Sequence, residues 1–208
     1  MSQPTARVYI IESPHPCEIR ASEMEGRAIA EALQLARHEK KYWLAVDREQ
    51  LTQVLDEVVT DLGPRKREAE IVPIFHFSAH GNEDGIELTN GDFVSWHDLS
   101  DLLWRVGYRT GRINQAGHAL AHITMSSCKG VHGKKMFDLS PNKAPAVSLV
   151  GPNDDIGWTD SLTAWIVFYH LVLSKAAPPP DVLGIMNQAA GSPAGFALYA
   201  HGDSKLFG

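Results

Sequence analysis

Apolar runs and segments of helical periodicity alternate along this chain. Short apolar runs typical of buried strands occur at 7–11, 42–46, 70–79, 119–125 and 146–150. Between them, apolar residues recur every three or four positions, for example at Ile29 and Leu33, as expected for helices that bury one face. Strands that alternate with helices predict an α/β fold in which a mostly parallel central sheet is flanked by helices.

Capping and turn residues mark several element boundaries. Ser22 and Glu25 have the spacing of a capping box and predict a helix that starts there, while Asp47 predicts the N-cap of the next helix. Asn90-Gly91 lies between two β-prone runs and predicts a hairpin. Further helices are expected at 160–174 and 181–190, followed by a strand at 195–200.

Composition limits the classes of partner. The 208 residues, 44% of them hydrophobic, fit one domain spanning 1–208. A formal charge of -6 gives no basic field, so neither nucleic acid nor an anionic membrane is an expected partner. Two cysteines are too few for a disulfide framework, and the first residues lack a secretory segment, which favours a cytoplasmic protein.

The strand ends carry the candidate chemistry. In an open parallel sheet, ligands bind beyond the carboxyl ends of the strands, which here would gather 12–20, 80–81, 126–130 and 152–158. Cys128 follows His80 by 48 residues, so adjacent strands could present a thiol and an imidazole to one cleft. A thiolate attacks carbonyl carbon, and an imidazole can take and return the proton. The N–H groups of Gly81 and Cys128 could then bind the oxyanion.

The same residues also have a plainer interpretation. Cysteine is often a small buried hydrophobe, and one of ten histidines can fall near a strand end by chance. Taken from residue types alone, both interpretations stay open.

Metal, nucleotide and serine-hydrolase chemistry have weaker support. His76 and His80, like His118 and His122, are four residues apart, a spacing that converges only on a helix, whereas four strand residues extend about 13 Å. The chain lacks a phosphate-binding P-loop, a strand-linked G-x-G-x-x-G and a G-x-S-x-G elbow. We therefore expect neither a metal ion nor a cofactor.

Two segments carry a family resemblance. IFHFSAHG followed by HITMSSCKG resembles the caspase-like cysteine peptidases, including the bacterial CHAT group. The caspase signature is Q-A-C-[RQG]-G with a histidine about 50 residues upstream. Here Cys128 and Gly130 match it and His80-Gly81 occupies the upstream position, while the residues flanking the cysteine depart. VSLVGPNDDIGW with the following helix also looks like the CHAT pattern, with Phe168-Tyr169 as scaffold residues.

The resemblance implies a caspase-like three-layer sandwich and a cysteine endopeptidase that hydrolyses peptide bonds through His80 and Cys128. It also implies a kinship with effectors of bacterial antiviral defence or regulated cell death. The alternative is a catalytically silent binding module on the same fold. Regulation by a partner protein, by assembly or by cleavage at 65–67 or 134–135 is compatible with the sequence.

Substrate preference has two candidate origins. Arg20 lies where caspases place a pocket arginine for an acidic residue, although its surroundings match that motif poorly. Asp154, Asp155 and Glu12 could instead pair with a basic side chain, and this is the preference we expect. Ser126 and Ser127 are candidate residues for the pocket floor.

Overall fold

The computed structural model describes residues 5–65, 71–139, 142–191 and 195–200. Its strands form one eight-stranded sheet, in the order β2-β1-β3-β6-β7-β8 with the β4–β5 hairpin attached to β3. The strands are β1 (Thr5–Ser13), β2 (Glu39–Leu44), β3 (Ile71–Asn82), β4 (Gly85–Glu87), β5 (Phe93–Ser95), β6 (His122–Ser126), β7 (Ser148–Pro152) and β8 (Phe196–Ala200). The α-helices are α1 (Pro16–Ala21), α2 (Glu25–Leu35), α3 (Arg48–Leu62), α4 (Trp96–Arg109), α5 (Lys135–Asp138), α6 (Trp158–Tyr169) and α7 (Pro179–Ala190).

The first five strands of this order are parallel, and β8 runs antiparallel to β7. One hydrophobic core lies between the sheet and α3 and α4, and a second lies between the sheet and α2, α6 and α7. Because both faces are covered, β3 is buried continuously from Val72 to Ala79 rather than at alternate positions. The predicted three-layer α/β sandwich with a mostly parallel sheet is confirmed.

Local signals set several of the element boundaries. Asp47 caps α3 by accepting the backbone N–H of Gln50 at 2.8 Å, and Ser95 caps α4 in the same way. The hairpin predicted from Asn90-Gly91 is formed by β4 and β5. The predicted Asp47 cap and the predicted hairpin are confirmed.

The predicted helix start at Ser22 is wrong. Pro16 has a φ suited to a first helical position, and the short helix α1 forms upstream of the predicted start, with a capping box made by His15 and Glu18. Ser22 instead ends α1 in the left-handed region, with φ 60°. α2 therefore begins at Glu25, and its N-cap Met24 makes no side-chain hydrogen bond.

The helix predicted over 160–174 is α6 followed by one π-helical turn, His170–Ser174. Within the described residues, no helix combines the length and apolar character needed to cross a membrane.

Candidate active site

The register of β3 and β6 brings the two predicted catalytic residues to one edge of the sheet. His76 pairs with Thr124 and Ser78 with Ser126 in the parallel ladder. His80 lies in β3 two residues beyond Ser78, and Cys128 lies in the turn two residues beyond Ser126, so both lie at the carboxyl ends of neighbouring parallel strands. We name the two ladder pairs the lower rung (76 and 124) and the middle rung (78 and 126), and the two residues beyond them the upper rung (80 and 128).

A buried carboxylate holds the His80 ring. Glu18 Oε1 lies 2.9 Å from His80 Nε2, and the same oxygen accepts the indole N–H of Trp158 at 2.7 Å. Glu18 Oε2 accepts the backbone N–H of His15 at 2.7 Å. The side chain of Glu18 is 9% exposed whereas that of His80 is 43% exposed, so a fixed acid orients an accessible imidazole.

The turn after β6 holds Cys128 between two other loops. Its Sγ, half-buried, lies 3.9 Å from the carbonyl oxygen of Ile156 in the loop after β7. Lys129 has a left-handed φ of 57°, donates its N–H to the Asp154 carbonyl at 3.1 Å and pairs through Nζ with Glu83 at 3.0 Å. That hydrogen bond to Glu83 raises the Lys129 pKa. The Lys129 contacts therefore connect the cysteine turn to the segment that follows His80.

Gly81 allows the hairpin and the cysteine turn to approach closely. A β-carbon at Gly81 would lie 3.0 Å from Ser127 Cβ and 3.1 Å from the Gly85 carbonyl oxygen. These contacts are too tight for most side chains, so packing alone favours glycine beside the upper rung.

A cleft of about 400 Å³ opens beside His80. Its lining comes from α1 and its cap, from β3 and from the hairpin: His15, Cys17, Glu18, His80, Gly81, Asn82, Glu87 and Phe93. Cys17 lies in this cleft with its Sγ 2.8 Å from His15 Nδ1. A second cysteine and histidine thus flank the predicted catalytic histidine.

The middle rung is joined to a buried acid. Glu25 Oε2 accepts hydrogen bonds from Ser78 Oγ at 2.8 Å and from Ser126 Oγ at 2.6 Å, and Ser126 Oγ lies 2.7 Å from Ser161 Oγ. Burial raises the pKa of Glu25 to about 7.

The predicted specificity residues lie in three different settings. Glu12 is 1% exposed and accepts the N–H groups of Gly26 and Arg27 and the Tyr42 hydroxyl, so its carboxylate anchors the start of α2. Burial raises its pKa. Arg20 is an exposed residue of α1 outside the cleft lining.

Asp154 and Asp155 are exposed in the loop after β7. Asp154 Oδ1 accepts the N–H of Asp155 at 2.9 Å, and both carboxylates raise the pKa of Lys129. They lie beside the cysteine turn, whereas Ser126 lies beneath it.

The histidines of the central strands are structural in their contacts. His76 Nδ1 contacts Thr124 Oγ1 at 3.0 Å and the Tyr169 hydroxyl at 2.9 Å, and His122 Nδ1 contacts Ser148 Oγ at 2.6 Å. Burial lowers the pKa of His76 and of His122 to about 3, so both rings are neutral. The part of the chain that the structure describes contains no group of three or more His, Cys, Asp or Glu side chains able to hold a metal ion.

Glu18, Trp158 and Glu25 are the site residues that sequence reasoning missed. The H-P-x-E spacing from His15 to Glu18 carried a capping signal that could have located α1. Glu25 was interpreted as part of a capping box with Ser22, so its orientation toward the sheet was not predicted. The contact of Trp158 with Glu18 joins residues 140 positions apart and leaves no local signal.

No family model and no curated protein matches the chain. Among solved structures, it is similar to the crystal structure of the Arg specific cysteine proteinase gingipain R, with a TM-score of 0.54 and 11% identity over 94% of this chain and 46% of that one. It is also similar to the complex of Porphyromonas gingivalis RgpB pro- and mature domains, with a TM-score of 0.53, 11% identity and coverage of 94% and 47%. The chain spans about half the length of these structures and shares their caspase-like fold.

Proposed function

We propose that this chain is a cysteine endopeptidase whose nucleophile is Cys128 and whose general base and acid is His80. The observation that carries the proposal is the upper rung: the β3–β6 register brings both residues to the same strand ends, where Glu18 orients the imidazole. The fold neighbour gingipain R is a cysteine proteinase, which agrees with this chemistry.

Because Nε2 of His80 contacts Glu18, the other ring nitrogen, Nδ1, is the atom assigned to proton transfer with the thiol. His80 accepts the Cys128 proton, and Sγ forms a bond to the carbonyl carbon of the scissile peptide. The C–N bond then breaks as His80 returns the proton to the leaving amine. Water adds to the thioester with His80 as base, and the Cys128 thiol and a carboxylic acid are released.

The developing oxyanion needs donors at the same edge. The backbone N–H groups of Gly81 and Cys128 are the groups we assign to it. The substrate is a peptide or protein segment, and the peptidase domain comprises residues 1–208 as one unit. A role in bacterial defence or regulated cell death, and control by a partner protein, remain predictions from the family resemblance.

Of the two predicted processing sites, 134–135 lies within helical structure, and Lys135 Nζ contacts the Glu83 carbonyl at 2.8 Å. At the other, Arg65 is exposed, and residues 66–67 lie outside the described ranges.

The test is cleavage of a diverse peptide library by the purified chain, read by mass spectrometry. Cuts by the wild type that vanish in Cys128→Ala but still occur in Cys17→Ala are the expected result. Cuts that persist in Cys128→Ala would reject the nucleophile. A chain that cleaves nothing, and whose Cys128 reacts with iodoacetamide no faster than a free thiol, would favour the silent binding module.

A further inference from the structure

Polar groups on the β3–β6 face continue beneath the upper rung. The lower rung is closed by contacts among His76, Thr124 and Tyr169. The middle rung is closed by a carboxyl group instead: its two serines both donate to Glu25, which enters from the first turn of α2, and Ser126 Oγ also contacts Ser161 Oγ. Ser78 precedes His80 by two residues in β3, a separation of about 6.6 Å along the strand. Glu25 therefore binds the sheet about 6.6 Å below the proposed catalytic histidine.

Glu25 has an unused hydrogen-bonding atom in a buried place. The residue is 5% exposed, and its Oε1 has no hydrogen-bond partner among the described residues. The other oxygen, Oε2, receives both serine hydroxyls. A buried carboxylate oxygen without a partner is unfavourable, and a cationic donor is the group that best compensates it.

The surroundings of Glu25 favour a cation brought by a ligand. The polar neighbours are the small side chains of Ser78, Ser126 and Ser161, which carry no charge. The titratable groups that face it are Glu12, whose negative charge raises the Glu25 pKa, and the Tyr169 hydroxyl, whose own pKa is raised by burial. Neither of these groups can neutralise an ionised Glu25.

We propose that Glu25 is the specificity-determining carboxylate, binding the guanidinium or ammonium group of the substrate residue whose carbonyl Cys128 attacks. This inference rests on the proposed function, because that carbonyl must lie at the upper rung. A long basic side chain then reaches one rung down to Oε1. Glu25 is buried and does not line the cleft beside His80, so this proposal requires the start of α6 and the exposed segment 153–157 before it to move when the substrate enters.

This assignment differs from the three carboxylates expected from the sequence. Glu12 has its oxygens occupied by α2 and Tyr42, while Asp154 and Asp155 are exposed and face Lys129. An ion pair in water is worth little, whereas a buried, hydrogen-bonded pair discriminates strongly. Glu25 alone combines burial, an unused oxygen and a position below the catalytic pair.

The first test measures binding without catalysis. The Cys128→Ala variant is titrated by calorimetry with an acetylated, amidated alanine peptide that carries one central arginine, and with the same peptide carrying citrulline. Citrulline keeps the shape of arginine and removes its charge. We expect the arginine peptide to bind about 100-fold tighter, and Glu25→Gln to abolish that ratio, as for loss of one partner of a buried charge pair.

Two variants control for folding. Glu31→Gln changes an exposed carboxylate of the same helix and should leave the ratio intact. Ser126→Ala removes one hydrogen bond to Glu25 but keeps the charge, so it should retain a reduced preference for arginine, which keeps the inference testable if Glu25→Gln does not fold. Equal binding of both peptides to Cys128→Ala would overturn the inference.

The second test uses the active chain. Because only ionised Glu25 attracts a cation, the ratio of kcat/KM for the arginine and citrulline peptides should rise as the pH increases through about 7. The ratio cancels any pH dependence of the catalytic pair, which both peptides share. A ratio that does not change with pH would overturn the role of Glu25 but leave the proposed peptidase activity intact. Charge-dependent binding by a chain that cleaves no peptide would support the role of Glu25 in binding and overturn the proposed peptidase activity.

Discussion

Two cysteine–histidine pairs lie near the same edge of the sheet, and they differ in what surrounds them. In the upstream pair, His15 Nδ1 lies 2.8 Å from Cys17 Sγ, but both residues are exposed, His15 as the N-cap and Cys17 in the first turn of a six-residue helix. In the strand-end pair, His80 lies near the end of β3, and Cys128 lies in the turn after β6, the parallel neighbour of β3. The two histidine rings lie 6.2 Å apart, so one cleft contains both.

Under the proposed function, this difference predicts that proximity of a thiol and an imidazole is not by itself sufficient for catalysis. His80 has a buried carboxylate behind it, and Cys128 is followed by a residue that contacts two other loops. In the upstream pair, Nδ1 of His15 also serves as the helix cap for the Cys17 N–H. Preorganised support of this kind separates a nucleophile from a thiol that merely has a polar neighbour.

The largest expected effect separates the two thiols. Cys128→Ala should lower kcat/KM for the best library peptide by about 10⁴-fold or more, because no other group forms the thioester. Cys17→Ala should lower kcat/KM only a few-fold, since Cys17 lines the cleft but does not form the thioester. The measurement is hydrolysis of one fluorogenic peptide by both variants. Dependence on Cys17 instead would make the upstream pair the reactive one.

Glu18 is the residue that connects the pairs, and its substitution tests the support directly. Glu18→Gln should lower kcat about 100-fold with little change in KM, because the His80 ring loses a fixed ionic partner and its orientation loosens. Glu18→Asp should recover part of the loss. Glu23→Gln, an exposed neighbour, is the matched control. A fall in kcat that is caused only by unfolding would be accompanied by a lowered Tm. Equal kcat values for the wild type and Glu18→Gln would show that Glu18 has no part in the mechanism.

Much of the strand-end pair could be predicted from the sequence because it depends on short-range patterns. Apolar runs give the strands, and parallel connection places their carboxyl ends together, which is enough to propose His80 and Cys128. The support for the pair depends on contacts that no local pattern reveals. Trp158 reaches Glu18 from a helix 140 residues later, and Ser126 reaches Glu25 across 101 residues.

The position of Glu25 shows how a local rule can mislead. Its spacing from Ser22 fits a capping box, a local arrangement in which an exposed side chain binds a backbone N–H. In the structure, the Glu25 carboxylate points toward the sheet and accepts hydrogen bonds from the two serines of the middle rung. Ser22 ends α1 instead of starting the next helix. Long-range hydrogen bonds to a buried face therefore determine where this acid lies.

The buried acid beneath the strand-end pair also predicts a stability effect. Burial raises the Glu25 pKa from 4.5 to about 7, so the folded chain binds more protons than the unfolded chain in that interval and loses stability as the pH rises through it. Relative to wild type, Glu25→Gln should gain about 3 kcal/mol of unfolding free energy between pH 4.5 and pH 8. Urea unfolding at both pH values measures the gain, with Glu31→Gln as control. A pH-independent difference would contradict the buried, titrating carboxyl.

The smallest expected effect belongs to the upstream histidine. His15→Ala removes the helix cap and the contact with Cys17, so we expect a loss of about 1 kcal/mol of unfolding free energy. We expect kcat to change only a few-fold. Glu18 accepts the backbone N–H of residue 15, which alanine retains, so the Glu18 carboxylate stays in place beside His80. His80→Ala is the matched substitution, with a loss of kcat close to that of Cys128→Ala. If both histidine variants lost kcat equally, the two pairs would act as one unit, and the distinction between them would fail.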